Sequence, residues 1–163
     1  MHEQPKIEYR AAQPYVAVAA TISMEQLAGA IARGFAEVFG WLDANATTPA
    51  GPPFIRYLQV DMPVELSIEL AVPIGSEPPV DDRVRRGLLP DGHYAVLLHV
   101  GPYDGLVGAN AALQQWARDR GIDWAMNTDG AWGGRVERYL TDPAREPDPS
   151  QWQTEVAYLV ARP

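Results

Sequence analysis

Three carboxylates in this sequence are placed where they could do chemistry, and each depends on strand periodicity for its setting. Residues 151–161 read Gln-Trp-Gln-Thr-Glu-Val-Ala-Tyr-Leu-Val-Ala. Alternate side chains of a strand face opposite ways, so Trp152, Thr154, Val156, Tyr158 and Val160 share one face and Gln153, Glu155, Ala157 and Leu159 the other. Glu155 therefore stands among small and apolar neighbours, either at the wet surface of a sheet or in a cleft that admits a ligand. In a cleft, partial burial would raise its pKa and leave it able to pair with a cation or to act as a general acid or base. Glu137 and Tyr139 are two residues apart, share a strand face, and are expected near Glu155 through the neighbouring strand. The Tyr139 hydroxyl can donate to a ligand carbonyl and its ring can stack on an aromatic or cationic ligand, with core packing as the alternative. Glu69 and Tyr57 hold the corresponding places in the first half of the chain.

Other residue types narrow the chemistry. The chain has no cysteine, which excludes disulfides, thiolate catalysis and cysteine metal sites. His99, before a Gly-Pro turn, suits a structural hydrogen bond better than catalysis. His2 and His93 are the remaining histidines, and no spacing joins two of the three into a metal site. Gly101-Pro102 puts a proline where a phosphate cradle needs an amide donor, so no nucleotide cofactor is expected. No serine or threonine sits at a nucleophile elbow. Haem carriage would have only His99 to offer. Of five tryptophans, Trp116 and Trp152 fall on core faces, whereas Trp124 and Trp132 lie in a long loop where a lid would attach, which makes Trp132 the expected aromatic wall.

The 163 residues, 47% of them hydrophobic, suffice for one domain with its own core. The net charge of -8, from 21 acidic and 13 basic residues, disfavours direct nucleic-acid binding and suits neutral or cationic ligands. No apolar stretch approaches a membrane span and no leader pattern opens the chain, so a soluble, cytoplasmic protein is expected.

The elements that must position these residues come in two similar series. Residues 7–22 read as a strand. Ser23 and Gln26 form a capping box that starts a helix with Met24, Leu27, Ile31, Phe35, Val38 and Leu42 on its apolar side. After a proline-rich loop comes a hairpin of residues 54–60 and 64–74, turning at Asp61-Met62-Pro63. A linker, 75–92, whose Val84–Leu89 piece is expected against the sheet edge, is followed by a second strand (94–100), a second helix ended by Gly121, and strands at 135–141 and 151–161. Arg56-Tyr57-Leu58 matches Arg138-Tyr139-Leu140, and the Ile68–Pro73 stretch matches residues 154–159. The reading is a single α+β domain of two strand-helix-strand-strand repeats, 7–74 and 93–162. Its helices lie on one face of an antiparallel sheet, with a central cleft between the halves.

His99-Val100-Gly101-Pro102-Tyr103, a helix with Trp116, the Glu137-Arg138-Tyr139-Leu140-Thr141-Asp142-Pro143 segment and Trp152-Gln153-Thr154-Glu155-Val156-Ala157-Tyr158 follow one another in order. This arrangement resembles the GyrI-like small-molecule-binding domains, which are also effector domains of AraC-type and MerR-type multidrug regulators. The resemblance implies a cleft for bulky apolar, aromatic and often cationic compounds, with Glu155 inside it beside aromatic residues. It also implies sensing with a partner, sequestration or inhibition of a target enzyme as roles. Some members resemble hydrolases that open cyclopropane-containing DNA alkylators. In that alternative Glu155 would activate a water and Tyr139 would hydrogen-bond the electron-accepting carbonyl. With no helix-turn-helix before Ile7, the chain looks like an effector domain by itself.

Overall fold

The structure, a computed structural model, describes residues 4–60, 65–75 and 83–161. Ten elements follow one another: β1 (Lys6–Arg10), β2 (Gln13–Ile22), α1 (Leu27–Ala44), β3 (Phe54–Gln59), β4 (Leu66–Pro73), β5 (Arg85–Leu89), β6 (Gly92–Val100), α2 (Leu106–Asp119), β7 (Arg135–Tyr139) and β8 (Gln153–Leu159). The strands form one curled antiparallel sheet in the order β1-β6-β8-β7-β3-β4-β2-β5. The fold is α+β.

The strand order reads symmetrically from its centre, the β3/β7 pair. Each half contributes a short edge strand to the other half: β1 pairs with β6, and β5 pairs with β2. One expectation is revised accordingly. The stretch 7–22 is not one strand, because the chain breaks at Ala11 and Ala12 so that β1 and β2 can join opposite ends of the sheet. Within the segment 75–92, the piece expected against the sheet edge is there, as β5 on β2. The expected turn at Asp61-Met62-Pro63 lies outside the described residues.

Strand register fixes which side chains share a face. Val16 opposes Val72, Leu70 opposes Ile55, Ile55 opposes Glu137, Glu137 opposes Val156, and Val156 opposes Leu97. All of these face the helices. Val38, Trp41 and Leu42 of α1 pack on Val16, Val18 and Val72, while Leu106, Ala109 and Leu113 of α2 pack on Ala95, Leu97 and Val156. The Gln26 side-chain carbonyl accepts from the Ser23 amide at 3.0 Å, closing the turn that starts α1. Gly34 lets this helix lie close to β4, since a Cβ there would stand 2.6 Å from Leu70 Cγ.

The opposite face of the curled sheet has a core of its own, with Tyr15, Phe54, Tyr94, Val136 and Ala157 among its buried members. Arg138 opposes Glu155 on this face, and Arg56 opposes Glu69. Glu155 accepts from Arg10 at 2.7 Å and from Arg138 at 3.0 Å, which ties the edge strand β1 to β7 and β8. Tyr15 donates to Glu69 and accepts from Arg56 at 2.8 Å, so the related carboxylate is partnered through a tyrosine.

Burial alone would disfavour the Glu155 carboxylate, but the hydrogen bonds and charges of Arg10 and Arg138 outweigh it and hold the pKa below the ordinary 4.5. This reverses the expected rise. A carboxyl whose folded pKa lies below its unfolded one stabilises the fold above the unfolded value and loses that effect as pH falls through the folded value. Glu155→Gln should therefore cost about 1–2 kcal/mol at pH 7. The difference from the parent protein should shrink at pH values progressively below 4.5. Urea unfolding across that acid range measures both effects, and a penalty independent of pH would contradict the ion-pair account.

Candidate functional site

Between α1 and α2 the helix face of the sheet opens into a cleft of about 710 Å³. That is the size of a pocket for a drug-like molecule. One wall is α1 with the turn before it, presenting Met24, Leu27, Ile31, Phe35 and Phe39. The other is α2, presenting Leu106, Val107, Asn110, Ala111 and Gln114, with Tyr103 at its start. The floor is made by Tyr57 of β3 and by Arg135, Glu137 and Tyr139 of β7. Met24 and Val107 remain 70% and 81% exposed, so the two walls carry apolar side chains out into solvent.

The floor is organised around Glu137, which is only 7% exposed. Its Oε1 accepts from the Tyr57 and Tyr139 hydroxyls, each at 2.9 Å, and its Oε2 accepts from Asn110 Nδ2 at 2.9 Å. Asn110 Nδ2 also donates to the Leu106 carbonyl at 2.8 Å, which fixes the amide's orientation. Its Oδ1 accepts from the Tyr158 hydroxyl at 2.7 Å, and that hydroxyl accepts from Gln114 Nε2 at 2.9 Å. Burial, and then the nearby Glu137 charge, push the Tyr57 and Tyr139 hydroxyls well above their usual pKa, so both remain proton donors to the carboxylate.

Every donor to Glu137 is neutral. No described lysine or arginine forms an ion pair with it. A desolvated carboxylate held by dipoles alone has no opposite charge in contact with it, and this one lines a largely apolar space. Arg135, two residues away on the same face, does not close the circuit. Its guanidinium carbon lies 4.7, 4.8 and 5.6 Å from the ring centroids of Trp132, Tyr158 and Tyr57.

The sequence-derived residues are distributed as follows. Tyr57, Glu137 and Tyr139 meet in the cleft. Glu155 does not, because its register with Arg138 turns it to the opposite face, where two arginines hold it. Glu155 and Tyr139 thus cannot converge on one reacting group. Glu69 is on that same opposite face with Tyr15. His99 is buried beneath the start of α2, its Nε2 2.9 Å from the Pro102 carbonyl and its ring filling the space that a Gly105 side chain would take. Trp132 is not a wall of the cleft. The loop that carries it is tied down through Trp132 N to Leu58 O at 2.9 Å and Ala125 N to Leu159 O at 2.9 Å, so it underlies the floor instead of covering the opening. Trp132 packs edge-on to Tyr158 and backs Arg135. Asn110, Gln114, Arg135 and Tyr158 were not singled out from sequence as site residues. The signal for the first two was polar residues four apart on a helix face that is otherwise apolar.

An α+β sheet with two helices enclosing an apolar cleft over a charged floor defines a small-molecule-binding class of domain. The sequence profile of the GyrI-like small molecule binding domain matches residues 3–160, and the chain belongs to that family. No curated protein sequence matches it significantly. Among solved structures, the C-terminal domain of EcmrR superposes with a TM-score of 0.78 at 17% identity, covering 98% of each chain. Full-length EcmrR, in a DNA complex, gives a TM-score of 0.84 at 17% identity, with 98% of this chain spanning 58% of that one. SAV2435 bound to tetraphenylphosphonium gives 0.66 at 12% identity, covering 98% of this chain and 94% of the other. A hydrolase from Listeria innocua gives 0.66 at 18%, with 97% and 92% covered. At these identities the likeness is one of fold. No helix among the described residues is long and apolar enough to cross a membrane.

The two tyrosines should act as a unit through the single oxygen they share. Tyr57→Phe and Tyr139→Phe are each expected to cost about 1–2 kcal/mol, and the double variant more than their sum, because it strips Oε1 of both donors. Urea denaturation of the three variants measures this. Wild-type stability in the double variant would show that the hydroxyls do not hold Glu137.

Proposed function

We propose that the protein binds bulky aromatic or apolar molecules carrying a positive or hydrogen-bond-donating group, with Glu137 as the anionic contact and the α1 side chains as the apolar wall. One observation carries this reading: a buried carboxylate with three neutral donors and no ion-pair partner among the described residues, at the bottom of a cleft open to solvent. A cation entering the cleft gains more from such a carboxylate than from a hydrated one, and the Tyr57 and Tyr139 rings add attraction of their own. The apolar wall, built from Met24, Ile31 and Phe35, supplies contact area without demanding a particular shape. The tetraphenylphosphonium bound by the structurally similar SAV2435 is a ligand of this chemistry. Such a domain serves as a sensor, through a partner that reads occupancy, or sequesters its ligand.

Tetraphenylphosphonium and neutral triphenylphosphine oxide form a suitable pair of probes. Titration calorimetry should find the cation bound more tightly. Glu137→Gln should lose about 10-fold or more for the cation, roughly 1.4 kcal/mol, and little for the oxide. Glu155→Gln should leave both affinities unchanged. An undiminished cation affinity in Glu137→Gln, or a loss in Glu155→Gln alone, would overturn the assignment. Mass spectra of the recovered ligands should show no product, and conversion of a ligand would move the protein to the enzyme class.

A further inference from the structure

Glu137 is one of two charges on the cleft floor, and the second also lacks a counter-charge. Arg135 lines the cleft, yet its side chain makes no ion pair and no hydrogen bond among the described residues. Its Nε is buried without a partner. The rings of Trp132, Tyr158 and Tyr57 surround the guanidinium, and rings accept no conventional hydrogen bond, which leaves its N–H groups unmatched. An arginine so held is stripped of part of its water, restricted in rotamer, and still has a fork of donors to offer.

Arg135 and Glu137 occupy the same face of β7, two residues and therefore roughly 7 Å apart along the strand. They are not within ion-pair distance of each other. The neutral floor groups divide between them: Tyr57, Tyr139 and Asn110 donate to the carboxylate, while the aromatic rings of Trp132 and Tyr158 hold the cation. A bare cation approaching this floor is attracted by Glu137 and repelled by Arg135. A ligand carrying both charges satisfies both.

Resting on the cleft reading above, we propose that the site is built for aromatic zwitterions whose carboxylate engages Arg135 and whose cationic group lies against Glu137. The spacing excludes α-amino acids, whose two charged groups are attached to one carbon, and selects compounds that separate a carboxylate from an amine or delocalised cation by an aromatic framework. Arg135 is then a specificity-determining residue. It donates two N–H groups to the carboxylate in a two-pronged hydrogen bond that a lysine could not reproduce.

Rhodamine B, which carries a free benzoate beside a delocalised cation, and its ethyl ester, which keeps the cation and loses the carboxylate, form a matched pair. Fluorescence anisotropy on the whole chain should find the acid bound about 10-fold more tightly than the ester. Arg135→Gln should abolish that preference by weakening the acid alone, whereas Glu137→Gln should weaken both dyes. Equal binding of acid and ester to the wild type, or an acid preference that survives Arg135→Gln, overturns the inference and leaves the cleft reading standing. Binding of neither dye removes both. The wild-type comparison needs no variant and stands alone should Arg135→Gln fail to fold.

Discussion

A carboxylate kept in an apolar cleft without a counter-charge is the constraint on which the rest of this structure turns. Ionised carboxylates are costly to bury unless they are paired or well hydrogen-bonded. The fold meets that demand for Glu137 with dipoles alone: two tyrosine hydroxyls on one oxygen and an asparagine amide on the other. Asn110 is in turn anchored to the Leu106 carbonyl and to Tyr158, so β3, β7, β8 and α2 all contribute to a single network. Moving any one of these elements would leave a buried polar group unmatched.

The two carboxylates of adjacent strands show how register alone separates structural from ligand-facing roles. Glu155 and Glu137 belong to paired strands of the sheet, but Glu155 opposes Arg138 whereas Glu137 opposes Val156. The first is turned to the helix-free face and neutralised by two arginines. The second is turned beneath the helices and left with its charge. Arg56 and Glu69 repeat the structural arrangement in the other half, with Tyr15 between them.

The halves share a path and differ in polarity. Leu27 and Leu106 both begin helices after a short turn, so Ile31 and Asn110 hold equivalent positions, as do Phe35 and Gln114. Across the central strand pair Ile55 opposes Glu137. One half lines the cleft with hydrocarbon and aromatic surface, and the other with amides and charge. A ligand bound between them has its orientation imposed by that difference. The order of the elements from α1 onward, the apolar faces of the strands, both helices and the Arg-Tyr repeat were legible in the sequence because they rest on periodicity. The placement of Glu155 was not, although a clue existed. Its strand's apolar face, Val156 and Tyr158, had to lie beneath the helices, which sends Glu155 away from them. The separation of β1 from β2 and its pairing with β6, and the folding of the Trp132 loop under the floor, depend on long-range pairing that local pattern does not encode.

Placing the ligand is the most direct test of the central claim. Tetraphenylarsonium carries its own anomalous scatterer, so a crystal soaked with it would locate the cation without reliance on the shape of the density. The account requires the arsenic between α1 and α2, about 6 Å from the Tyr57 and Tyr139 rings and facing the Glu137 carboxylate. An arsenic peak on the opposite face of the sheet beside Glu155, with the cleft between the helices empty, would contradict it.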